Sequence, residues 1–228
     1  MPRSGSTLQY QIAVEVVRAA GLGDAAGWDW PSVSAHDAAP DTPIRVVKVH
    51  EPDPTLEPSF DPSGVVYLLT YRDTRDAAAS FLAKFGERPP ERLEAEVRRW
   101  LDNLRHFTTR QRVLASRYET FVDDIAGEVR RVAHVLDAPL IDAMIESIAA
   151  GLSPERQRER VAAFEQSSGS AWDTTTLLHR SHLADGAIGK WKSALTQDHL
   201  DAVLRASDTW LREMDYQGPC DRHSRGAA

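Results

Sequence analysis

The residues best suited to chemistry stand at the start of the chain, in the run Pro2-Arg3-Ser4-Gly5-Ser6-Thr7. A short loop of glycine and hydroxyl residues feeding a helix has the outline of an anion cradle. The first helical N–H groups have no partner inside the helix, and the helix dipole is positive at that end. Arg3 adds a full charge, and the Ser6 and Thr7 hydroxyls add donors. An ordinary capped helix at a chain end would use the same residues, so the run alone leaves both readings open. It is not a Walker A loop, because Ser6 follows Gly5 where that motif needs lysine. A second candidate is His50, which directly follows the β-branched run from Ile44 to Val49. Ligands of open α/β sheets bind beyond the carboxyl ends of the strands. Lys48, two residues earlier, shares a strand face with His50. A loop or packing histidine and a solvated lysine would look the same in isolation. His179 and His182 are spaced for a shared metal, but no carboxylates are patterned around them, so the plain loop reading is preferred.

These residues need elements to position them. Leu8, Ile12, Ala13, Val16, Val17 and Ala20 recur at helical spacing, with Ser and Thr ahead as caps and Gly21 as the stop. Residues 22–43 read as a loop rich in Gly, Asp, Pro and Ala. Residues 44–49 and 65–71 are near-continuous apolar runs of the kind that suit strands buried on both faces. Residues 113–119 supply a third strand and its exit. Helices are expected over 77–85, from Glu91 to Arg112, and at 121–137, 140–150 and 154–166. A polar loop spans 167–190, and a final helix carries Leu200, Val203, Leu204, Leu211 and Met214 on one stripe. Strands alternating with helices imply an α/β layer fold with a mainly parallel sheet. No repeat or linker divides the chain, so one domain over residues 1–216 with a flexible tail at 217–228 is expected.

Five segments in order, PRSGST, KVHEP, YRDTRDAAAS, RYE and GAIGKWK, together resemble the sulfotransferases that use 3′-phosphoadenosine 5′-phosphosulfate (PAPS). The resemblance runs from residue 2 to about 195. It implies that residues 2–7 form the 5′-phosphosulfate loop, with Arg3 on the transferring sulfuryl group and Ser4, Gly5, Ser6 and Thr7 around the 5′-phosphate. His50 matches the family's general base, and Lys48 a lysine that stabilises the sulfuryl group and leaving phosphate. Arg72 and Ser80 match the pair that binds the 3′-phosphate, an Arg at a strand end and a Ser about two helical turns on. An Arg fork suits a phosphate dianion; otherwise Arg72 would be a partner for Asp73 or Asp76, and Ser80 a small packing residue. Tyr118 matches a tyrosine near the adenine, with a core aromatic as the bland reading. Gly186 and Gly189 match glycines of a mobile segment that closes over the nucleotide, with Trp191 as its anchor. The sequence departs from the family before Gly186, where Ala184-Asp185 replaces the usual Arg-Lys. Arg180 or His182 would have to compensate.

The resemblance implies an α/β, P-loop-like three-layer fold with a central parallel sheet flanked by helices. In the family the phosphosulfate loop follows a strand of that sheet. Only Met1 precedes Pro2 here, so the first strand is expected to be missing or truncated, either because the true start lies upstream or because the chain is a compromised paralogue. The expected activity is sulfuryl transfer from PAPS to a hydroxyl, less readily an amine, of a small-molecule or peptidic acceptor, without a metal. Two alternatives stay open: a non-catalytic nucleotide-binding paralogue, and a P-loop-like small-molecule kinase with Asp73 as a Mg²⁺ ligand. The acceptor wall is expected from the loops at 22–43, 86–91 and 167–185, which include Trp28, Trp30 and Trp172.

Composition sets the remaining bounds. Among 228 residues, 27 Lys and Arg face 34 Asp and Glu, a formal charge of -7. With 42% hydrophobic and 27% charged residues the chain is of ordinary globular type. The acidic balance argues against a dedicated nucleic-acid binder but not against a local anion site. The arginine-rich stretches 98–112 and 156–160 alternate with Glu or apolar residues and read as solvated helix faces. Cys220 is the single cysteine, which excludes an internal disulfide. No apolar run approaches the roughly 20 residues that cross a bilayer, and no leader is visible, so a cytoplasmic location is expected.

Overall fold

The structure, a computed structural model, describes residues 1–28, 43–55, 57, 63–168, 176–177 and 186–216. The chain divides into two compact units, Met1–Arg72 with Asp102–Ile188, and Asp73–Leu101 with Gly189–Ala228. The described elements run α1 (Ser6–Ala19), β1 (Gly23–Trp28), β2 (Ile44–Lys48), β3 (Tyr67–Tyr71), α2 (Thr74–Phe85), α3 (Pro90–Thr108), β4 (Val113–Arg117), α4 (Tyr118–Phe121), α5 (Ile125–Val135), α6 (Asp142–Gly151), α7 (Pro154–Ser168), α8 (Trp191–Ala194) and α9 (Gln197–Glu213).

All four strands belong to the first unit and pair in parallel, β1 with β2 and β3 with β4. The α/β reading therefore holds, with one difference. Among the described residues the strands form two separate pairs instead of one central sheet. Their residues are mostly half-buried, not buried on both faces, because a two-stranded ladder has no inner strand. Both pairs nonetheless serve one core. Ile12 and Val16 of α1, Val129 and Val132 of α5, and Ile145 and Ile148 of α6 cluster there, with Val46, Leu68 and Leu114 of the strands packed against them.

β1 is a correction to the expected loop at 22–43. Its sequence GDAAGW has little strand propensity, so pairing has to impose the conformation. Gly23 shows how: a Cβ there would lie 1.9 Å from the Ile44 carbonyl oxygen, so only glycine lets the two backbones meet. Further differences are local. The helix expected to reach Arg112 ends at Thr108, where the Thr108 and Thr109 hydroxyls donate to the Arg105 and His106 carbonyls at 2.9 and 2.8 Å. The helix expected over 121–137 is two, because Asp124 caps α5 by accepting from the Gly127 N–H at 2.8 Å. Tyr118 and Glu119, expected at a strand exit, open α4.

A buried polar network ties this unit together. The Glu128 carboxylate, in a residue 2% exposed, accepts from Gln9 Nε2 at 2.7 Å, Ser116 Oγ at 2.5 Å and Arg131 Nη1 at 2.7 Å. It thus links α1, β4 and α5. Glu128→Ala leaves the Gln9 and Ser116 donors buried without a partner, at about 1–3 kcal/mol each before relaxation. Urea unfolding of that variant is expected to give a loss of about 2–4 kcal/mol; a loss under 1 kcal/mol would mean that water enters the network.

In the second unit, α2 packs on α8 and α9. Thr74 Oγ1 and Ser207 Oγ lie 2.7 Å apart, Phe81 meets Trp100 edge-on, and Arg205 pairs with Glu94 at 2.8 Å. No helix among the described residues is long and apolar enough to cross a membrane.

Candidate functional site

The loop ahead of α1 is shaped by two left-handed residues. Arg3 has φ 58° and Gly5 has φ 81°. The first is a rare conformation for a side-chain-bearing residue, of the kind that clusters at ligand clamps. Gly5 is the N-cap of α1, and no side chain caps the helix. The serine and threonine expected to cap it are otherwise engaged. Ser4, fully buried, donates from Oγ to the Thr70 carbonyl at 3.1 Å and lies 2.7 Å from Thr70 Oγ1, while Ser6 and Thr7 already sit in the first turn. The positive end of α1 is thus left to its main-chain N–H groups.

Gly5 is also required by space. A Cβ there would lie 2.7 Å from Phe121 Cζ and 2.8 Å from Tyr118 Cδ2. Gly5→Ala is therefore expected to lower stability by more than the roughly 1–2 kcal/mol of a left-handed side-chain-bearing residue, since the aromatic pair must also move. Urea unfolding checks this; a wild-type midpoint would show that the loop relaxes freely.

β2 brings the next residues. Lys48 is 7% exposed, and its ammonium donates to Thr7 Oγ1 at 2.6 Å, tying the strand end to the loop. His50 follows in a half-buried bend, its carbonyl accepting from Asn103 Nδ2 at 3.2 Å.

Arg72 ends the β3 side of the first unit and is 5% exposed. Its Nη2 donates to the Gly186 and Ala187 carbonyls at 3.2 and 2.8 Å, and its Nη1 makes a long contact of 3.5 Å with the Arg3 carbonyl. Its Cζ lies 4.3 Å from the Tyr118 ring centroid, a cation–π stack. Among the described residues its buried Nε has no acceptor. Of the two acidic partners considered for it, Asp73 pairs with Arg75 at 2.7 Å, and Asp76 accepts from main-chain N–H groups. Tyr118, 8% exposed, donates to the Gly186 carbonyl at 3.3 Å. Gly186 has φ 60° and Gly189 has φ 80°, which accounts for glycine at both places.

Electrostatics agree with this geometry. Burial, and then the nearby Arg72 guanidinium, pull the Arg3 pKa below its ordinary value. Burial pushes the Tyr118 phenol up. The half-buried Arg3 and the buried Arg72 thus lie near a helix N-terminus without a side-chain cap, a concentration of positive charge.

All of Arg3, Ser4, Gly5, Ser6, Thr7, Lys48, His50, Arg72, Tyr118 and Gly186 belong to the first unit, where contacts tie Lys48 to Thr7, Arg72 to Arg3 and Gly186, and Tyr118 to Gly186. Ser80 sits on α2 in the second unit. There the Asp76 carboxylate accepts from the Gly189 and Trp191 N–H groups at 2.7 and 3.0 Å, and Arg75 stacks 4.4 Å over the Trp191 ring. Asp76 was visible in the sequence only as a counter-charge, and Asn103 not at all, because a polar residue on a long helix carries no local signal. Trp30, Trp172, His179, Arg180, His182, Ala184, Asp185 and the tail from 217 lie outside the described residues, as does the side chain of Trp28. No cluster of metal-binding side chains occurs among the described residues.

The sulfotransferase domain family model matches residues 1–215, through every motif named above. No curated protein matches the chain. A match over nearly the whole of 228 residues makes this protein a member of the sulfotransferase domain family and an enzyme of sulfuryl transfer.

Proposed function

We propose that the protein transfers a sulfuryl group from PAPS to the hydroxyl, or less readily the amine, of a small-molecule or peptidic acceptor. One observation supports this most: Arg3, Lys48 and Arg72 converge on the uncapped α1 N-terminus in the same compact unit as His50. The residues suit a donor with two anionic ends. The α1 N-terminus has no side-chain cap, and Arg72 keeps a buried Nε–H without an acceptor among the described residues. The donor supplies an activated sulfuryl group on a phosphate leaving group.

The chain's own residues do the rest. His50 takes the proton of the acceptor hydroxyl as that oxygen bonds to sulfur and the bond from sulfur to the leaving phosphate oxygen breaks. Arg3 and Lys48 stabilise the charge that builds on the sulfuryl and leaving oxygens. The main-chain N–H groups of Gly5, Ser6 and Thr7 hold the 5′-phosphate, with Ser4 bracing the loop through Thr70 and the Thr7 hydroxyl aiming Lys48. Arg72 binds the 3′-phosphate, and Tyr118 and Gly186 border the nucleotide. Catalysis is positioning plus preorganised charge, as in phosphoryl transfer. The fold assigned to this work is the three-layer P-loop-like arrangement.

Thermal unfolding tests the donor assignment. PAPS and adenosine 3′,5′-bisphosphate are each expected to raise the melting temperature in a concentration-dependent way, with about 2.7 kcal/mol gained at a hundredfold excess over Kd. ATP with Mg²⁺ is expected to give a much smaller shift. A larger response to ATP–Mg²⁺ than to either PAPS ligand would replace this reading with a kinase.

A further inference from the structure

We propose that Asn103 is a positioning residue that sets the orientation of His50. The inference rests on reading His50 as the general base. His50 lies just beyond β2, in a segment that includes Pro52 and Pro54. Prolines have no N–H to give, so such a segment has fewer backbone bonds with which to order itself. Side chains from α3 and the turn after it take over that work, at three points within the first unit.

The first point is apolar: Phe107 packs against Val49, next to His50, and against Val65, Tyr67 and Leu69. The second is the Asn103 Nδ2 bond to the His50 carbonyl, 3.2 Å. The third is Glu57, whose carboxylate is almost fully buried. Glu57 Oε1 accepts from the Asp53 N–H at 3.2 Å, closing a turn whose other bond runs from the Glu57 N–H to the Asp53 carbonyl at 3.0 Å. Glu57 Oε2 meets His106 Nε2 at 2.8 Å and also pairs with Arg110. Asn103 and His106 are three residues apart, on one face of α3.

Of the three, only Asn103 acts on His50 itself. Its amide holds the peptide plane that leaves His50, and the rotamers open to a side chain depend on the main-chain torsions beneath it. A general base works only within hydrogen-bond reach of the proton it takes, and an error of about 1 Å can lower a rate about 100-fold. The other two contacts hold the flanking chain, and the Asn103 donor is the one of the three that bonds to His50.

Two near-isosteric variants remove the donor, Asn103→Leu and Asn103→Asp; if one fails to fold, the other serves. With p-nitrophenol as acceptor, kcat is expected to fall between about 10- and 100-fold, with the dissociation constant for adenosine 3′,5′-bisphosphate unchanged within twofold. Independently of any acceptor, the imidazole Cε1–H signal of His50, assigned by its loss in His50→Ala, should be one sharp line in the wild type. In the Asn103 variants it should be doubled or broadened. In a His50→Ala background, Asn103→Leu should lower kcat no further. An unchanged His50 signal in both variants would overturn the positioning role, and so would an equal loss of rate with and without His50. Full activity in His50→Ala would instead remove His50 as the base, and the inference with it.

Discussion

Replacing His50 with alanine is expected to lower turnover by about 10²–10⁴-fold, the usual contribution of a general base, while adenosine 3′,5′-bisphosphate binds as tightly as before. The two halves of this expectation have separate structural grounds. The proposed nucleotide contacts come from the α1 loop, Lys48 and Arg72, and the bond from Asn103 to His50 goes to its main-chain carbonyl. Truncating the imidazole is expected to leave the proposed nucleotide contacts in place. In the proposed mechanism it removes the group that takes a proton at the moment the acceptor oxygen attacks. Isothermal titration with the bisphosphate, together with steady-state rates, separates the two effects. Wild-type turnover in His50→Ala would remove the residue from the mechanism; a parallel loss of binding and rate would make it a structural residue.

For Arg72→Ala the expected result is a loss of about 100-fold in affinity for adenosine 3′,5′-bisphosphate, with little change for adenosine 5′-monophosphate. Hydrogen bonds to a charged phosphate contribute about 1.5–3 kcal/mol, and the Arg72 guanidinium is held ready to make them. The Gly186 and Ala187 carbonyls and the Tyr118 ring fix its plane. Arg72→Lys should recover little, because an ammonium lacks the planar fork and the stacking face. The monophosphate is the internal control for folding: the variant also loses the tether to Gly186, and a merely disordered site would weaken both ligands alike. Equal bisphosphate affinity in Arg72→Ala and wild type would take the 3′-phosphate away from this residue.

These expectations can be traced to different depths in the chain. The α1 loop, the strand before His50, Arg72 at a strand end and the glycines at 186 and 189 were legible because each depends on local chemistry. Glycine tolerates φ values of 60–81°, helix periodicity is written in Leu8 to Val17, and β-branched runs form strands. β1 was not legible, since GDAAGW gains strand structure only from the close approach of Gly23 to Ile44. The pairing of strands in two ladders was likewise hidden. Parallel partners are joined by long connections, and sequence periodicity says nothing about which edges meet.

The same division runs through the site. By itself the sequence determined which functional groups are present and in what order: a glycine-hydroxyl loop with one arginine, a lysine and histidine at a strand end, a second arginine, and a glycine-tryptophan segment. Tertiary structure alone decided what each group does with its hydrogen bonds. Ser4, expected at a phosphate, turns its hydroxyl into Thr70, and Thr7 receives Lys48. Arg72 meets Gly186 across 114 residues of chain, and Asn103 meets His50 across 53. The physical reason is the same in each case. A side-chain hydrogen bond is made over about 3 Å, and two groups far apart in sequence come that close only once the path of the backbone between them has been settled by packing.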